Sequence, residues 1–455
     1  MELVSFRTPG LGDQSYLFTH EGKAILVDPQ RDIDRFLDAA AQRDVDVRFV
    51  LETHLHNDYV SGGPQAARRT GAELVLPAGA APTYRHTPAF HLEDIKADNL
   101  TLRPVHTPGH TPEHTSYLVL IDGEPVAVFS GGSLLVASAG RPDLLGPDRA
   151  RTLARLQHGS LHRLAGLPRA VALYPTHGEG SFCATTTGAG RRTSTIGDEV
   201  DDNPLLGIAD PEDFADRLLA DPMPIPTFYQ YLGPANIRGG KPMPTIAVPE
   251  VTAAELPTAA ELPADDATRL VDDATQLVDV RPRHVQAGGL VPGSVGITLT
   301  DDFGSWAGWL LPYGAPIVLV AEPEQDVTEA VVQLARIGVD AVRAVYRPAS
   351  ADHLGPGYEL LDLAAFQQRL AGPDAQLLDV RMPTERAKVS WPGAVERFLA
   401  DLVTDGIPAE LDPRHPVLVA CGSGRRAAIA ASLLVRAGYR AAVLDGAGVA
   451  DLTTD

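Results

Sequence analysis

The sequence predicts a multidomain protein of mixed α/β and α+β class. Two observations carry that prediction. A segment of the C-terminal half occurs twice, 100 residues apart, and each copy alternates strand-like apolar runs with helix-like runs. Such alternation implies a parallel sheet covered on both faces. The N-terminal half instead sets many short strand-like runs among loops and a few amphipathic helices, which predicts a strand-rich mixed layout.

In chain order, residues 24–28 and 47–51 read as buried strands, each mostly apolar and ending at a polar turn, with a helix over 33–43 between them. Residues 102–105, 116–121 and 126–129 read as further strands. The stretch 150–164 predicts an amphipathic helix through Leu153, Leu156, Leu161 and Leu164. Residues 249–266 are rich in Pro, Ala and acidic side chains and predict an extended, solvated linker. After it comes the duplication. Val278-Asp279-Val280-Arg281 is echoed by Leu378-Asp379-Val380-Arg381, Pro292-Gly293 by Pro392-Gly393, and the apolar strand 317–321 by 417–421. A repeat of this size is a duplicated domain rather than a solenoid unit. The expected plan is a domain over 1–248, a linker over 249–266, and two copies over 267–366 and 367–455.

At 455 residues the chain suffices for about two to four domains. Its formal charge of −21 argues against nonspecific nucleic-acid binding, and an anionic substrate needs a local positive site to overcome that field. Two cysteines, Cys183 and Cys421, do not make a stapled secreted scaffold. The first residues lack a basic segment followed by an apolar run, and no apolar run approaches membrane-spanning length. A cytoplasmic protein with no membrane partner is the expectation.

The two copies differ where chemistry would sit. The second reads Cys421-Gly422-Ser423-Gly424-Arg425-Arg426 between a buried strand and a helix expected over 426–437; the first reads Ala321-Glu322-Pro323-Glu324-Gln325-Asp326. Gly422, Ser423 and Gly424 are small enough to let successive backbone N–H groups turn inward as an anion nest. The helix N-terminus adds partial positive charge, and Arg425 and Arg426 add full charges. Together these favour a thiolate, the nucleophilic form, so that Cys421 can accept a sulfane sulfur and hold it as a persulfide. The first copy has no thiol and lines its loop with carboxylates, which predicts a noncatalytic domain. A merely packed Cys421 would leave the flanking Gly-Ser-Gly-Arg-Arg unexplained.

The six-residue loop with Cys first and Arg last, Asp379-Val380-Arg381 and Trp391-Pro392-Gly393 resemble the rhodanese family over roughly residues 370–450. Tyrosine phosphatases, the chemical alternative, use a loop one residue longer.

The N-terminal half carries Glu52-Thr53-His54-Leu55-His56-Asn57-Asp58-Tyr59, Thr107-Pro108-Gly109-His110-Thr111 and Pro175-Thr176-His177-Gly178, each just beyond an expected strand. Their imidazoles can therefore meet at one sheet edge, and neutral imidazole is the commonest ligand for zinc and non-haem iron. These residues, with Asp28 at its strand end, resemble the metallo-β-lactamase superfamily over roughly residues 1–240, which implies an αββα sandwich. By position the resemblance implies His54, His56 and His110 as a first metal site, with Asp58 and His177 belonging to a second. Two positions depart from the family. Tyr59 stands where a second-site histidine is expected, and Gly132 in Gly131-Gly132-Ser133 replaces the carboxylate that reaches both metals. A dinuclear hydrolase, such as a thioesterase, needs that bridge, so at most one metal is expected.

The order of the domains resembles the persulfide dioxygenase–rhodanese fusion family, as do Gly140-Arg141-Pro142-Asp143-Leu144 and residues 193–199. The resemblance implies one Fe(II) held by two His and one Asp; the histidines map to His54 and His110, the Asp to Gly132. Three arrangements stay open: His56 completes a three-histidine site for one Fe(II) or Zn(II) per chain, Asp58 swings in as the carboxylate, or the domain is metal-free. Cys183 is open to a sulfur-relay role or to plain packing, and Tyr59 to a ligand hydrogen bond or to filling the vacated second-site volume. The resemblance further implies a homo-oligomer.

The expected function is sulfur metabolism. Cys421 acts as nucleophile and carrier, with Arg425, Arg426 and the loop amides on the anion, in a sulfurtransferase. It moves sulfane sulfur from thiosulfate or a low-molecular-weight persulfide to a thiol acceptor. Tethering to a persulfide-oxidase-like domain raises the effective concentration of a shared intermediate. Two rivals remain: an active Fe(II) persulfide dioxygenase producing sulfite, and a sulfur-carrier or assembly protein with a metal-free N-terminal domain.

Overall fold

The computed structural model describes residues 1–185, 190–256, 275–350 and 353–452. Two compact units divide the chain: Met1–Met243 with Ala335–Gly338, and Pro244–Leu334 with Val339–Asp455.

The first unit is the expected αββα sandwich. One six-stranded sheet runs Glu2–Thr8, Asp13–His20, Lys23–Val27, Asp46–Leu51, Glu73–Pro77, Thr87–Ala89 in spatial order. The other runs Ser194–Thr195, Ala172–Pro175, Glu124–Gly131, Thr115–Ile121, Leu100–His106, Ile95–Ala97. Alternation along each strand assigns side chains to layers. Tyr16, Phe18, Ile25 and Val27 enter the core between the sheets with Tyr117, Val119 and Phe129. Their neighbours Leu17, Ala24 and Leu26 face the layer holding Phe36 and Ala39 of the helix Asp34–Gln42. On the other outer face Leu118 and Leu120 meet Ala154, Leu161 and Leu164 of the helix Pro147–Ala165. Each fully buried side chain of this kind contributes about 1.5–3 kcal/mol. That helix starts earlier than expected because Gly146, at φ 101°, turns the chain and Pro147 suits the first helical position.

The second unit holds two five-stranded, all-parallel sheets of the same order. The first is Glu250–Val251, Val342–Tyr346, Ile317–Val320, Gln276–Asp279, Val295–Gly296; the second is Glu359–Leu361, Ala441–Leu444, Val417–Ala420, Gln376–Asp379, Val395–Glu396. The duplication extends to register: Asp279 pairs with Val320 as Asp379 pairs with Ala420.

Two expected boundaries are corrected. The linker 249–266 begins as ordered structure: Glu250–Val251 pairs with Val345 and Tyr346, the Val345 N–H donates to the Pro249 carbonyl at 2.9 Å, and Ala253–Glu255 makes a short turn. These residues finish an otherwise open sheet edge. Residues 257–266 lie outside those described. The boundary at 366/367 falls inside the helix Leu363–Leu370, and the strand Glu359–Leu361 pairs with Ala441–Leu444, so the second copy's sheet takes in residues from Glu359. The opening edge strands do not obey the 100-residue offset that made the inner strands visible. Among the described residues no helix is long and apolar enough to cross a membrane.

Candidate functional site

Lys23–Val27 and Asp46–Leu51 run parallel and end side by side, presenting Asp28 and the segment from Glu52. In the other sheet Gly131 pairs with Pro175, which brings Gly132 and His177 together, and an isolated bridge joins His177 to Asp13. Here His54, His110 and His177 converge, with one ring nitrogen of each within 4.8 Å of the others. All three are buried. The opposite nitrogens are held by oxygen: His110 Nδ1 lies 2.8 Å from the Arg141 carbonyl, His177 Nδ1 2.9 Å from Asp13 Oδ1, and His54 Nδ1 2.9 Å from Thr53 Oγ1. Such partners fix ring orientation. The Arg141 carbonyl is itself fixed, because Arg141 binds Asp143 at 2.7 and 2.6 Å and donates to the Met223 carbonyl at 2.6 Å. Burial and the neighbouring imidazoles hold His54 and His110 well below the ordinary histidine value, and burial also lowers His177. Neutral imidazole is the ligating form.

Of the expected set, His54 and His110 fall in one candidate group with His177, while His56 falls in two others, with Asp58 and His177 and with Asp28 and Glu52. His56 turns its Nε2 to Asp28 Oδ1 at 3.2 Å and Glu52 Oε2 at 3.3 Å, with Tyr59 Oη at 2.9 Å. Burial alone would lower its pKa; Asp28 and Glu52 more than offset that and raise it well above the ordinary value. Burial would likewise raise Asp28, but His56 and hydrogen bonds from Thr176 and Thr53 hold it low. His56 and Asp28 thus form a buried pair with Glu52 alongside. Tyr59 stacks on His56, ring centroids 4.3 Å apart, and donates to the Asp28 carbonyl at 3.2 Å. Asp58 lies 3.5 Å from His177 Nδ1 and groups with His56 and His177. His56 Nδ1, Asp58 Oδ1 and Asp13 Oδ2 are buried without a hydrogen-bond partner. Burial pushes Asp13 and Asp58 up to about 7.

Gly132 donates its N–H to His114 Nε2 at 2.9 Å, and a Cβ there would stand 2.3 Å from His110 Cδ2. The His110 ring therefore occupies the space through which a carboxylate stem would enter. Cys183 lies 3.6 Å from Asp58 Oδ2 and 3.7 Å from Tyr229 Oη. Burial, then Asp58 and Asp13, push its thiol well up. Sequence reasoning missed Asp13, His114, Tyr229 and the roles of Thr53 and Thr176. For all but Tyr229, which opens the helix Tyr229–Ile237, the one signal was a polar side chain set at the end of an apolar strand.

In the second unit Val417–Ala420 ends at Cys421, which is 1% exposed, and the helix Arg425–Arg436 follows Gly424. Gly424 has φ 85°, and a Cβ there would meet the Leu444 carbonyl oxygen at 2.8 Å, so the loop closes only with glycine. The Val449 N–H donates to the Cys421 carbonyl at 3.0 Å and braces the loop from behind. Arg426 binds both Glu385 oxygens, at 2.5 and 2.6 Å. Burial would raise Glu385; Arg426 holds it below the ordinary value. The two expected anion-binding arginines thus divide: Arg426 props the loop through a carboxylate, and Arg425 is exposed, 3.8 Å from Asp302.

In the first copy Glu322 N–H donates to Gln325 Oε1 at 3.1 Å and Gln325 Nε2 to the Val280 carbonyl at 2.9 Å, so that loop folds onto its own side chain. The echoed Asp-Val-Arg motif is structural in both copies. Arg281 and Arg381 bind Asp279 and Asp379 through Nε at 2.9 and 3.0 Å, and reach the Gly289 and Val389 carbonyls at 2.8 and 2.7 Å.

Residues 9–177 match the metallo-beta-lactamase superfamily, and residues 362–450 match the rhodanese-like domain. The chain is 29% identical over 217 residues to a probable metallo-hydrolase of Burkholderia pseudomallei, covering 39% of this chain and 72% of that protein. It is 31% identical over 164 residues to the hydroxyacylglutathione hydrolase of Methylobacillus flagellatus, covering 36% of this chain and 60% of that enzyme. A metallo-beta-lactamase from Staphylococcus aureus subsp. aureus COL superposes with a TM-score of 0.65 at 27% identity, over 76% of this chain and 99% of that one. The chain therefore joins a metallo-beta-lactamase domain to a rhodanese-like domain near its C-terminal end.

Proposed function

We propose that the protein is a sulfurtransferase that carries sulfane sulfur on Cys421. The observation that supports this is the placement of Cys421 between a buried strand and a helix N-terminus, in a loop braced by Glu385, Arg426 and Val449. The Cys421 thiolate attacks the sulfane sulfur of thiosulfate or an organic persulfide. The donor's S–S bond breaks, sulfite or a thiolate leaves, and Cys421 retains a persulfide. An acceptor thiolate then takes the sulfur and restores the Cys421 thiolate. The helix end and Arg425 favour anionic donors against the overall negative charge.

In the metallo-beta-lactamase domain, His54, His110 and His177 would hold one divalent metal. The orphaned carboxylate oxygens Asp58 Oδ1 and Asp13 Oδ2 beside them fit a nearby cation. Three imidazoles without a carboxylate match a zinc donor set better than the two-histidine, one-carboxylate iron set. When bound, such a metal supplies Lewis acidity and an open position for a sulfur ligand. The dioxygenase reading needs an anionic ligand at the position of Gly132, which has no side chain. The test is Cys421→Ser: thiosulfate:cyanide sulfur transfer is lost while the circular dichroism spectrum is kept. A variant retaining its rate would refute the assignment.

A further inference from the structure

We propose that His158 and His162, on the helix Pro147–Ala165, form a peripheral metal site apart from the interior imidazoles. Its ligand is a divalent transition-metal ion that prefers imidazole, of the nickel(II), copper(II) and zinc(II) class.

Side chains four residues apart share one face of a helix. Here they present the same atom to the same point. His158 Nε2 and His162 Nε2 lie 3.1 Å apart, with ring centroids 4.4 Å apart and the rings edge-on. An ion about 2.0–2.1 Å from each nitrogen would see the pair at an angle of roughly 100°, between square and tetrahedral values. His158 is already seated. It is half-buried, its ring stands edge-on to the buried Phe214 at 5.2 Å, and its Nε2 lies 3.0 Å from the Ile208 carbonyl. Binding exchanges that hydrogen bond for two metal–nitrogen bonds. His162 is exposed, which leaves the other positions around an ion to water.

Charge on this face does not oppose a cation. Arg155 pairs with Glu212, Arg151 with Glu212 and Asp216, and Arg163 turns to the His106 carbonyl. The chain as a whole carries a formal charge of −21, which attracts cations. The same stretch of helix carries Gln157 and Ser160 on its inner side. Gln157 accepts the His110 N–H at 3.0 Å and donates to the Ser133 carbonyl at 2.9 Å, and Ser160 donates to the Pro108 carbonyl at 2.6 Å. An ion on the outer pair would thus clamp the turn that holds the His110 loop from behind.

The test puts the full chain on an immobilised nickel(II)–iminodiacetate resin, which meets surface imidazoles and cannot reach buried ones. The second imidazole of a chelating pair binds intramolecularly, so His162→Ala should lower the apparent affinity for the resin by about tenfold or more. His106→Ala, which removes another exposed imidazole, should barely change it. Equal losses from these two variants, or no loss in His162→Ala, overturn the proposal. A double-mutant cycle gives a second reading: the effects of His158→Ala and His162→Ala should be strongly non-additive. Effects that simply sum would show two imidazoles acting singly and overturn the chelate. Should His158→Ala fail to fold for want of its contact with Phe214, the comparison of His162→Ala with His106→Ala decides.

Discussion

Arg426 clasps Glu385 through both terminal guanidinium nitrogens, at 2.5 and 2.6 Å, from the first turn of the helix that follows Cys421. Glu385 in turn accepts the Met382 N–H at 3.0 Å, so the pair ties the Cys421 loop to a neighbouring segment. Replacing Glu385 with Gln should lower sulfur transfer more than stability. The pair is partly solvated, and its loss should cost about 1 kcal/mol in urea unfolding. Glu385 is held below its ordinary value of 4.5. Its stabilisation is therefore fully present above that value and fades as pH falls through the lowered one. The stability difference between wild type and Glu385→Gln should be flat from neutral pH to the ordinary carboxylate range and shrink only below it.

His56 and His177 should separate stability from metal binding. His56→Ala strands Asp28 as a buried carboxylate without its cation and should destabilise the first unit by about 3–5 kcal/mol. His177→Ala removes one of the three converging imidazoles proposed as ligands and should lose metal at a smaller stability cost. Denaturation curves and elemental analysis of protein purified with zinc or iron check both, with at most one metal per chain expected in the wild type.

Gly132→Asp would, on sequence alone, restore a missing ligand and strengthen iron binding. The Cβ position 2.3 Å from His110 reverses that expectation. The substitution should push His110 aside, destabilise the domain by about 1–3 kcal/mol and weaken metal binding. Thermal melting and metal content measure the effect; tighter metal binding would show that His110 yields easily.

Gly424→Ala places a side chain at φ 85° against the Leu444 carbonyl. It should cost about 1–3 kcal/mol and cut the rate of sulfur transfer further than the stability loss explains, read as single-turnover rate against melting temperature.

Much of this architecture was legible in the sequence. The inner strands of the duplication appear because Asp279-Arg281 and Asp379-Arg381 make the same buried ion pair at the same place in each copy. The edge strands at Glu250 and Glu359 were not legible, since two or three residues at a sheet margin carry little apolar pattern. The histidine motifs located the N-terminal site but not its ligand set. His54 and His56 are sequence neighbours of equal chemistry, and only the fold sets His56 against Asp28 and Glu52 and brings His177 to His54 and His110. Likewise Arg425 and Arg426 read alike until Glu385, from another segment, takes one of them.

The central claim is that Cys421 carries the transferred sulfur. Incubating the full chain with thiosulfate, removing the donor, and weighing the intact protein and its Cys421 peptide tests it most directly. The account predicts one added sulfur atom on Cys421, released stoichiometrically as thiocyanate by cyanide. Sulfur found on Cys183 instead, or no mass gain while turnover continues, would contradict it.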